Sequence, residues 1–309
     1  MKETVSVVVP VYRSRETLRE LHRRLVAVLA GQDAFEIIFV DDGSGDDSWM
    51  LIETLAHADP RVRGLRLSRN YGQHNALLCG IRAARHELIV TIDDDLQNPP
   101  EEIPRLLARL REGYDVVYGA PDRPQHGLLR GAAASITKVV LADAIGSATA
   151  RHVSAFRAFR AYVREAFRDY AAPFVSVDAL LTWGTTRFSH VRVTHHARVA
   201  GASNYTLRKL VTHALTMITG FTTLPLQLAS VLGFAFALFG LAVLAYVLIV
   251  YVLHGGSVPG FPFLASVIAI FAGVQLFALG IIGEYLARMH QRSMSRPSYL
   301  VRETTARSA

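Results

Sequence analysis

Three adjacent carboxylates, Asp93-Asp94-Asp95, follow the apolar run Leu88-Ile89-Val90-Thr91-Ile92. Carboxylates crowded at the end of a buried strand repel one another and cost desolvation energy. A hard divalent cation, Mg²⁺ or Mn²⁺, relieves both costs. Such a cation takes one or two carboxylates and completes its shell with phosphate oxygens and water. Along an extended chain residues two apart share a face, which predicts Asp93 and Asp95 on one side and Asp94 on the other. The arrangement suggests a site for a metal-bound diphosphate. The plainer reading is a solvated acidic loop before a helix, with Asn98 as its cap and Pro99 in its first turn.

Positioning such a cluster requires a strand whose end opens into a crevice. Hydrophobic patterning predicts strands over 5–11, 35–40, 62–67, 88–92 and 116–118, and helices over 16–29, 48–58, 73–84 and 101–111. This alternation argues for an α/β fold with a mostly parallel sheet. In such sheets ligands bind beyond the carboxyl ends of the strands. Polar signals fall at those ends: Pro10-Val11-Tyr12, Asp41-Asp42-Gly43-Ser44, Ser68-Arg69-Asn70 and the acidic run itself. No Gly-x-Gly-x-x-Gly or Gly-x-x-x-x-Gly-Lys follows a strand, which argues against a dinucleotide-binding Rossmann domain or a P-loop ATPase. Further along, 121–131 reads as a loop, 132–145 as an apolar helix, 156–159 as strand, 162–170 as helix and 188–195 as strand.

Between Lys209 and Glu284 there is no Asp, Glu, Lys or Arg. Residues 225–253 and 261–283 are each long enough, at about 1.5 Å per residue, to cross a hydrocarbon core of about 30 Å. A Gly- and Pro-containing linker separates them, so the pair reads as a transmembrane hairpin, preceded by an interfacial helix over 207–224. The alternative is a very apolar helix pair inside a soluble core. Residues 1–206 form the expected catalytic domain and 286–309 a basic tail. Residues 179–209 carry Arg187, Arg192, Arg198, Arg208 and Lys209 with no acid, and the segment after Glu284 is also basic. Positive flanks around an uncharged linker predict both termini, and the catalytic domain, on the cytoplasmic side of a bacterial inner membrane. The pI near 9.7 therefore reflects membrane flanks rather than nucleic-acid binding. A single cysteine, Cys79, excludes an internal disulfide. The chain enters a strand almost at once, which predicts no signal peptide.

Six stretches in order resemble one family, the membrane-bound polyprenyl-phosphate glycosyltransferases related to dolichol-phosphate mannose synthase, of the two-helix bacterial type. They are Val7-Val8-Val9-Pro10-Val11-Tyr12, Val40-Asp41-Asp42-Gly43-Ser44, Leu67-Ser68-Arg69-Asn70-Tyr71-Gly72-Gln73, the acidic run through Glu101, Arg198-Val199-Ala200-Gly201-Ala202-Ser203-Asn204-Tyr205, and Gln275 through Leu286. The resemblance spans nearly the whole chain. It implies a GT-A-type domain that moves a sugar from a nucleotide-sugar, UDP-linked in preference to GDP-linked, onto undecaprenyl or similar phosphate. Transfer would be metal-dependent and inverting, and would yield a lipid-linked sugar for cell-envelope glycans. It implies Asp93 and Asp95 as metal ligands and, with Arg157, as catalytic residues. It further implies Pro10, Tyr12, Asp42, Arg69, Asp94 and Gln97 at the nucleotide-sugar, Arg123, Arg198 and Ser203 at the acceptor phosphate, and a homo-oligomer.

Plainer roles stand beside these. Asp41 and Asp42 could cap the following helix, Arg69 could be an ion-pair partner, and Arg157 and Arg198 could serve a basic membrane face. Ser203 and Tyr205 could be turn and packing residues. His195 and His196 are adjacent on a strand and face opposite ways, which argues against a shared metal. The chain also departs from the family: Arg13-Ser14 replaces Asn-Glu, Asn204 replaces Lys, and Val153-Ser154-Ala155-Phe156-Arg157 lacks the Asp of some relatives. No carboxylate base is needed, because a phosphate monoester with a second pKa near 6 is already largely a dianion at neutral pH. Two rival readings are a processive polysaccharide synthase, disfavoured by the missing Gln-x-x-Arg-Trp, and a membrane scaffold with a degenerate transferase domain.

Overall fold

The computed structural model describes residues 3–121, 152–196, 223–254, 260–294 and 296–305. They fall into two units, Met1–Ala214 with Ser295–Ala309, and Leu215–Met294. In the first unit, strands β1 (Thr4–Val11), β2 (Ala34–Asp41), β3 (Val62–Leu67) and β4 (Leu88–Thr91) alternate with helices α1 (Arg15–Leu29), α2 (Ser48–Ala58) and α3 (Gln73–Ala83). A 3-10 turn (Pro100–Glu102) leads into α4 (Ile103–Arg111), then β5 (Val116–Pro121). Strand β6 (Arg157–Arg160), a 3-10 segment (Ala161–Phe167), α5 (Val177–Gly184) and β7 (Phe188–Val193) follow. Strand β8 (Val301–Thr304) completes one sheet in the order β7-β5-β6-β4-β1-β2-β3-β8.

The pairings of β1 with β2 and β4, of β2 with β3, and of β5 with β7 are parallel. Those of β6 with β4 and β5, and of β8 with β3, are antiparallel. The central strands are buried on both faces, which is why they read as nearly continuous apolar runs. Helix α1 turns Leu18, Leu21, Leu25 and Leu29 inward, and α4 turns Ile103, Leu106, Leu107 and Leu110 inward. Each such side chain contributes about 1.5–3 kcal/mol relative to exposure. Helix α3 lies on β1 and β2 so closely that a Cβ on Gly80 would sit 2.3 Å from Val8 Cγ1.

Three expectations are corrected. The fourth strand ends at Thr91, residues 94–98 form turns and bends, and the simple two-residue alternation of the aspartates does not apply. The 162–170 helix is a shorter 3-10 segment, and α5 lies in a stretch with no helical reading. The basic tail supplies the eighth strand: Val301–Thr304 pairs with the edge of β3. An unpaired edge is a template for unwanted pairing, and this strand covers it. The expected loop at 121–131, the apolar helix at 132–145 and most of the interfacial helix lie outside the described residues.

The second unit contains two helices, α6 (Leu224–His254) and α7 (Phe261–Ser293). Both are long and apolar enough to cross a membrane, and the qualifying stretches, Pro225–Leu253 and Ile270–His290, are 0% buried. A soluble-core helix pair would be buried, so that alternative is not what the structure shows. Phe236 and Phe239 meet Phe271 with ring centroids 5.8 and 6.4 Å apart.

Candidate active site

The strand order reverses direction at β1, whose neighbours are β2 on one side and β4 on the other. Such a switch point opens a crevice beyond the carboxyl ends. A cavity of about 230 Å³ lies there, lined by Pro10, Val11, Tyr12, Asp42, Asn70, Gly72, Gln73 and the three aspartates.

Its first wall is the end of β1. The Tyr12 backbone N–H donates to Asp94 Oδ2 at 3.2 Å, and Tyr12 is 44% exposed at the mouth. Arg13 adopts φ 56°, a left-handed conformation rare for a non-glycine residue, and its N–H donates to Ser44 Oγ at 3.0 Å.

The second wall is built by Asp42, which accepts the N–H groups of Tyr71 and Gly72 at 2.7 and 2.8 Å. Helix α2 has Asp47 at its N-cap, so Asp42 is not a capping residue. Gly43, at φ 68°, lets the β2 and β3 loops touch, since a Cβ there would lie 2.6 Å from the Arg69 carbonyl carbon. Burial pushes the Asp42 carboxyl up to about 6 despite its two hydrogen bonds.

The third wall is the acidic turn. Gln73 Nε2 donates to Asp93 Oδ1 at 2.6 Å, and the Gln97 N–H donates to Asp95 Oδ1 at 3.1 Å. Leu96, at φ 59°, bends the chain back. Burial pushes Asp94 up to about 6 as well. Four carboxylates thus line one cavity, and no Lys, Arg or His is among its described lining residues. Among the described residues no three His, Cys, Asp or Glu side chains form a cage for an ion by themselves. This donor set fits Mg²⁺ or Mn²⁺ that shares its shell with a diphosphate and water.

Behind the turn, Arg157 is 1% exposed and ion-paired with Asp178, whose Oδ1 also accepts the Tyr118 hydroxyl at 3.1 Å. The neighbouring Thr91 hydroxyl donates to the Ala155 carbonyl at 2.6 Å, fastening β4 to the segment entering β6. Arg157 is therefore not among the described lining residues of the cavity, and its guanidinium faces Asp178. Its charge is already engaged by a carboxylate.

Arg69 also stays out of the lining; its guanidinium stacks 4.6 Å from the Tyr71 ring centroid. Gln97 contributes its backbone, accepting the His196 N–H at 2.8 Å. Thr194 donates through its backbone and hydroxyl to Glu102 Oε1, and His195 Nδ1 lies 3.3 Å from Asn98 Oδ1. The chain leaving β7 is thereby docked on the acidic turn and the helix after it. Arg123, Arg198 and Ser203 lie outside the described residues. Asn70, Gly72 and Gln73 join the site without an individual signal in the sequence; the Leu67–Gln73 run as a whole is the feature that points to them.

The fold is shared with glucosyl-3-phosphoglycerate synthase from Mycobacterium tuberculosis, solved with Mn²⁺, UDP and glucosyl-3-phosphoglycerate. The TM-score is 0.52 at 22% identity, over 70% of this chain and 78% of that one. The same synthase with Mn²⁺ and UDP-glucose gives 0.52 at 19% identity, over 70% and 77%. Together with the switch-point crevice, this likeness defines a GT-A-like fold. Residues 6–170 match the model of Glycosyl transferase family 2, and the chain belongs to that family. It is 34% identical to an undecaprenyl-phosphate 4-deoxy-4-formamido-L-arabinose transferase of Enterobacter sp. (strain 638), across 99% of this chain and 94% of the relative. A transferase of the same name from Pseudomonas paraeruginosa is 36% identical across 99% of this chain and 91% of the relative.

Proposed function

We propose that this glycosyltransferase moves a sugar from a UDP-sugar to undecaprenyl phosphate at the cytoplasmic face of the membrane, with inversion. The observation that carries the reading is the cavity at the switch point, lined by four carboxylates and, among the described residues, by no Lys, Arg or His. A diphosphate brought there would face four carboxylates, and an accompanying divalent cation relieves that repulsion. Asp93 and Asp95 would hold that ion, and bound there it would neutralise the leaving diphosphate. The relatives' names support undecaprenyl phosphate as acceptor and a modified pentose as the kind of sugar transferred.

The acceptor phosphate, already a dianion, attacks the anomeric carbon from the side opposite the diphosphate. A bond forms from phosphate oxygen to that carbon. The bond from the carbon to the diphosphate oxygen breaks, and its electron pair leaves with UDP. No side chain has to remove a proton. The chain's work is positioning: Tyr12, Asp42 and the 70–73 loop shape the donor pocket, and Arg198 with Ser203 receives the acceptor phosphate. Purified enzyme, Mn²⁺, undecaprenyl phosphate and a panel of radiolabelled UDP- and GDP-sugars test this directly. Label should pass to lipid from a UDP-sugar. Transfer from GDP-sugars alone would overturn the donor assignment.

Arg198 is expected to govern the acceptor. A guanidinium offers forked hydrogen bonds that an ammonium cannot. Arg198→Lys should raise the acceptor KM, and Arg198→Ala should raise it further, by about tenfold or more for the loss of a charge-assisted pair. The nucleotide-sugar KM should stay within about twofold. The reverse pattern would move Arg198 to the donor site.

The cytoplasmic placement is supported by the basic flanks at 179–209 and after Glu284, around an uncharged linker. A cysteine in place of Ser257 should react with an impermeant maleimide added to intact cells, while buried Cys79 stays silent. Labelling only after the membrane is opened would reverse the orientation.

A further inference from the structure

The donor loop between β3 and α3 supplies Asn70, Gly72 and Gln73 to the cavity. Asp42 holds its middle. Its two ends are held by a segment from the far end of the chain. At one end, the Ser68 N–H donates to the Leu300 carbonyl at 2.9 Å. At the other, the buried Asn75 amide in the first turn of α3 donates to two carbonyls, those of Ser298 and Pro173. Ser298 is 3% exposed and donates its hydroxyl to the Ala172 carbonyl at 2.7 Å. Beyond it, β8 continues along β3, the Gly64 N–H donates to Thr305 Oγ1 at 2.7 Å, and Arg66 pairs with Glu303.

We infer that residues 298–305 are a strap that positions the donor loop, with Asn75 and Ser298 as positioning residues for nucleotide-sugar binding. The inference rests on reading the cavity as the nucleotide-sugar site. Ser68 and Asn75 bracket the lining residues, and each is tied to the strap through a main-chain carbonyl. A loop pinned at both ends and in the middle loses its conformational entropy during folding rather than during binding. Released at its ends, it would have to be ordered by the ligand, which weakens donor affinity and leaves the acceptor untouched.

Two full-length variants test this. Asn75→Asp keeps the size but turns carboxylate oxygens toward two carbonyls. Ser298→Trp overfills the buried seat of the strap. Both should raise the nucleotide-sugar KM at least tenfold, with the acceptor KM within twofold of wild type. Amides of residues 68–73 should exchange hydrogen at least tenfold faster, at a temperature well below the melting midpoint of each variant. A lowered midpoint with unchanged donor KM and unchanged exchange would show that the strap only stabilises the sheet, and would overturn the inference. Titration of wild type with UDP and Mn²⁺ separates the two levels. If wild type binds no nucleotide, the donor-site reading fails and takes the inference with it. If wild type binds and both variants bind equally well, the inference alone fails.

Discussion

Asp95→Asn is expected to lower the transfer rate by at least about a thousandfold, a loss of roughly 4 kcal/mol at the transition state. The substitution keeps the size of the side chain and removes its charge. The protein should still insert and melt cooperatively, because Asp95 stands on a turn at the cavity wall rather than in the core. Chelation of wild type should reproduce the loss, and full activity in chelated enzyme would sink the metal assignment. A pH experiment supplies an independent reading. Asp42 and Asp94 hold their protons up to about 6 in the folded protein, against about 4 in an unfolded chain. Between those values the folded state binds more protons, so these two groups make stability fall as pH rises through that window. Above about 6 both are ionised and crowded, and a divalent cation has most to offset. Mn²⁺ should therefore raise the melting temperature more at pH 7.5 than at pH 5. An equal rise at both would argue against binding beside these carboxylates.

Asp178→Ala is the second large effect, and it falls on stability. The substitution leaves the Arg157 guanidinium buried without its carboxylate and strands the Tyr118 hydroxyl. Removing one partner of a buried ion pair costs about 3–5 kcal/mol. For the catalytic unit this should appear as a clear drop in denaturant midpoint with little change in slope. Replacing both Arg157 and Asp178 with apolar residues of similar volume should recover much of it, since the penalty lies in the unpaired charge. A loss below about 1 kcal/mol in the single variant would mean that water reaches Arg157.

The alternation of strands and helices through α4 was legible because each element obeys one period: two-sided burial in β1 and β2, and a leucine stripe on α1. The acidic turn and the ends of the first three strands could be read for the same reason, since polar residues that interrupt a buried strand stand out. What could not be read is what depends on distant pairing. Val301–Thr304 is too short and too polar to announce a strand, and becomes one only because β3 offers an open edge. The Arg157–Asp178 pair could not be read either, because nothing local to Arg157 reveals Asp178, which sits on a helix without a helical pattern in the sequence. An extended conformation for the aspartate triplet follows from the sequence because Ile92 prolongs the apolar run, whereas the chain leaves the ladder at Thr91.

The catalytic unit is discontinuous: its sheet draws seven strands from before the apolar helices and one from after them. A ribosome releases the chain in order, so the edge of β3 remains open until the whole of α6 and α7 has been made. Completion of the catalytic sheet therefore comes after both helices have been made and reports that they have emerged. A polypeptide cut short within either helix would carry every cavity-lining side chain and still lack the strand that closes the edge, leaving it to be recognised as unfinished by whatever surveys exposed β-edges.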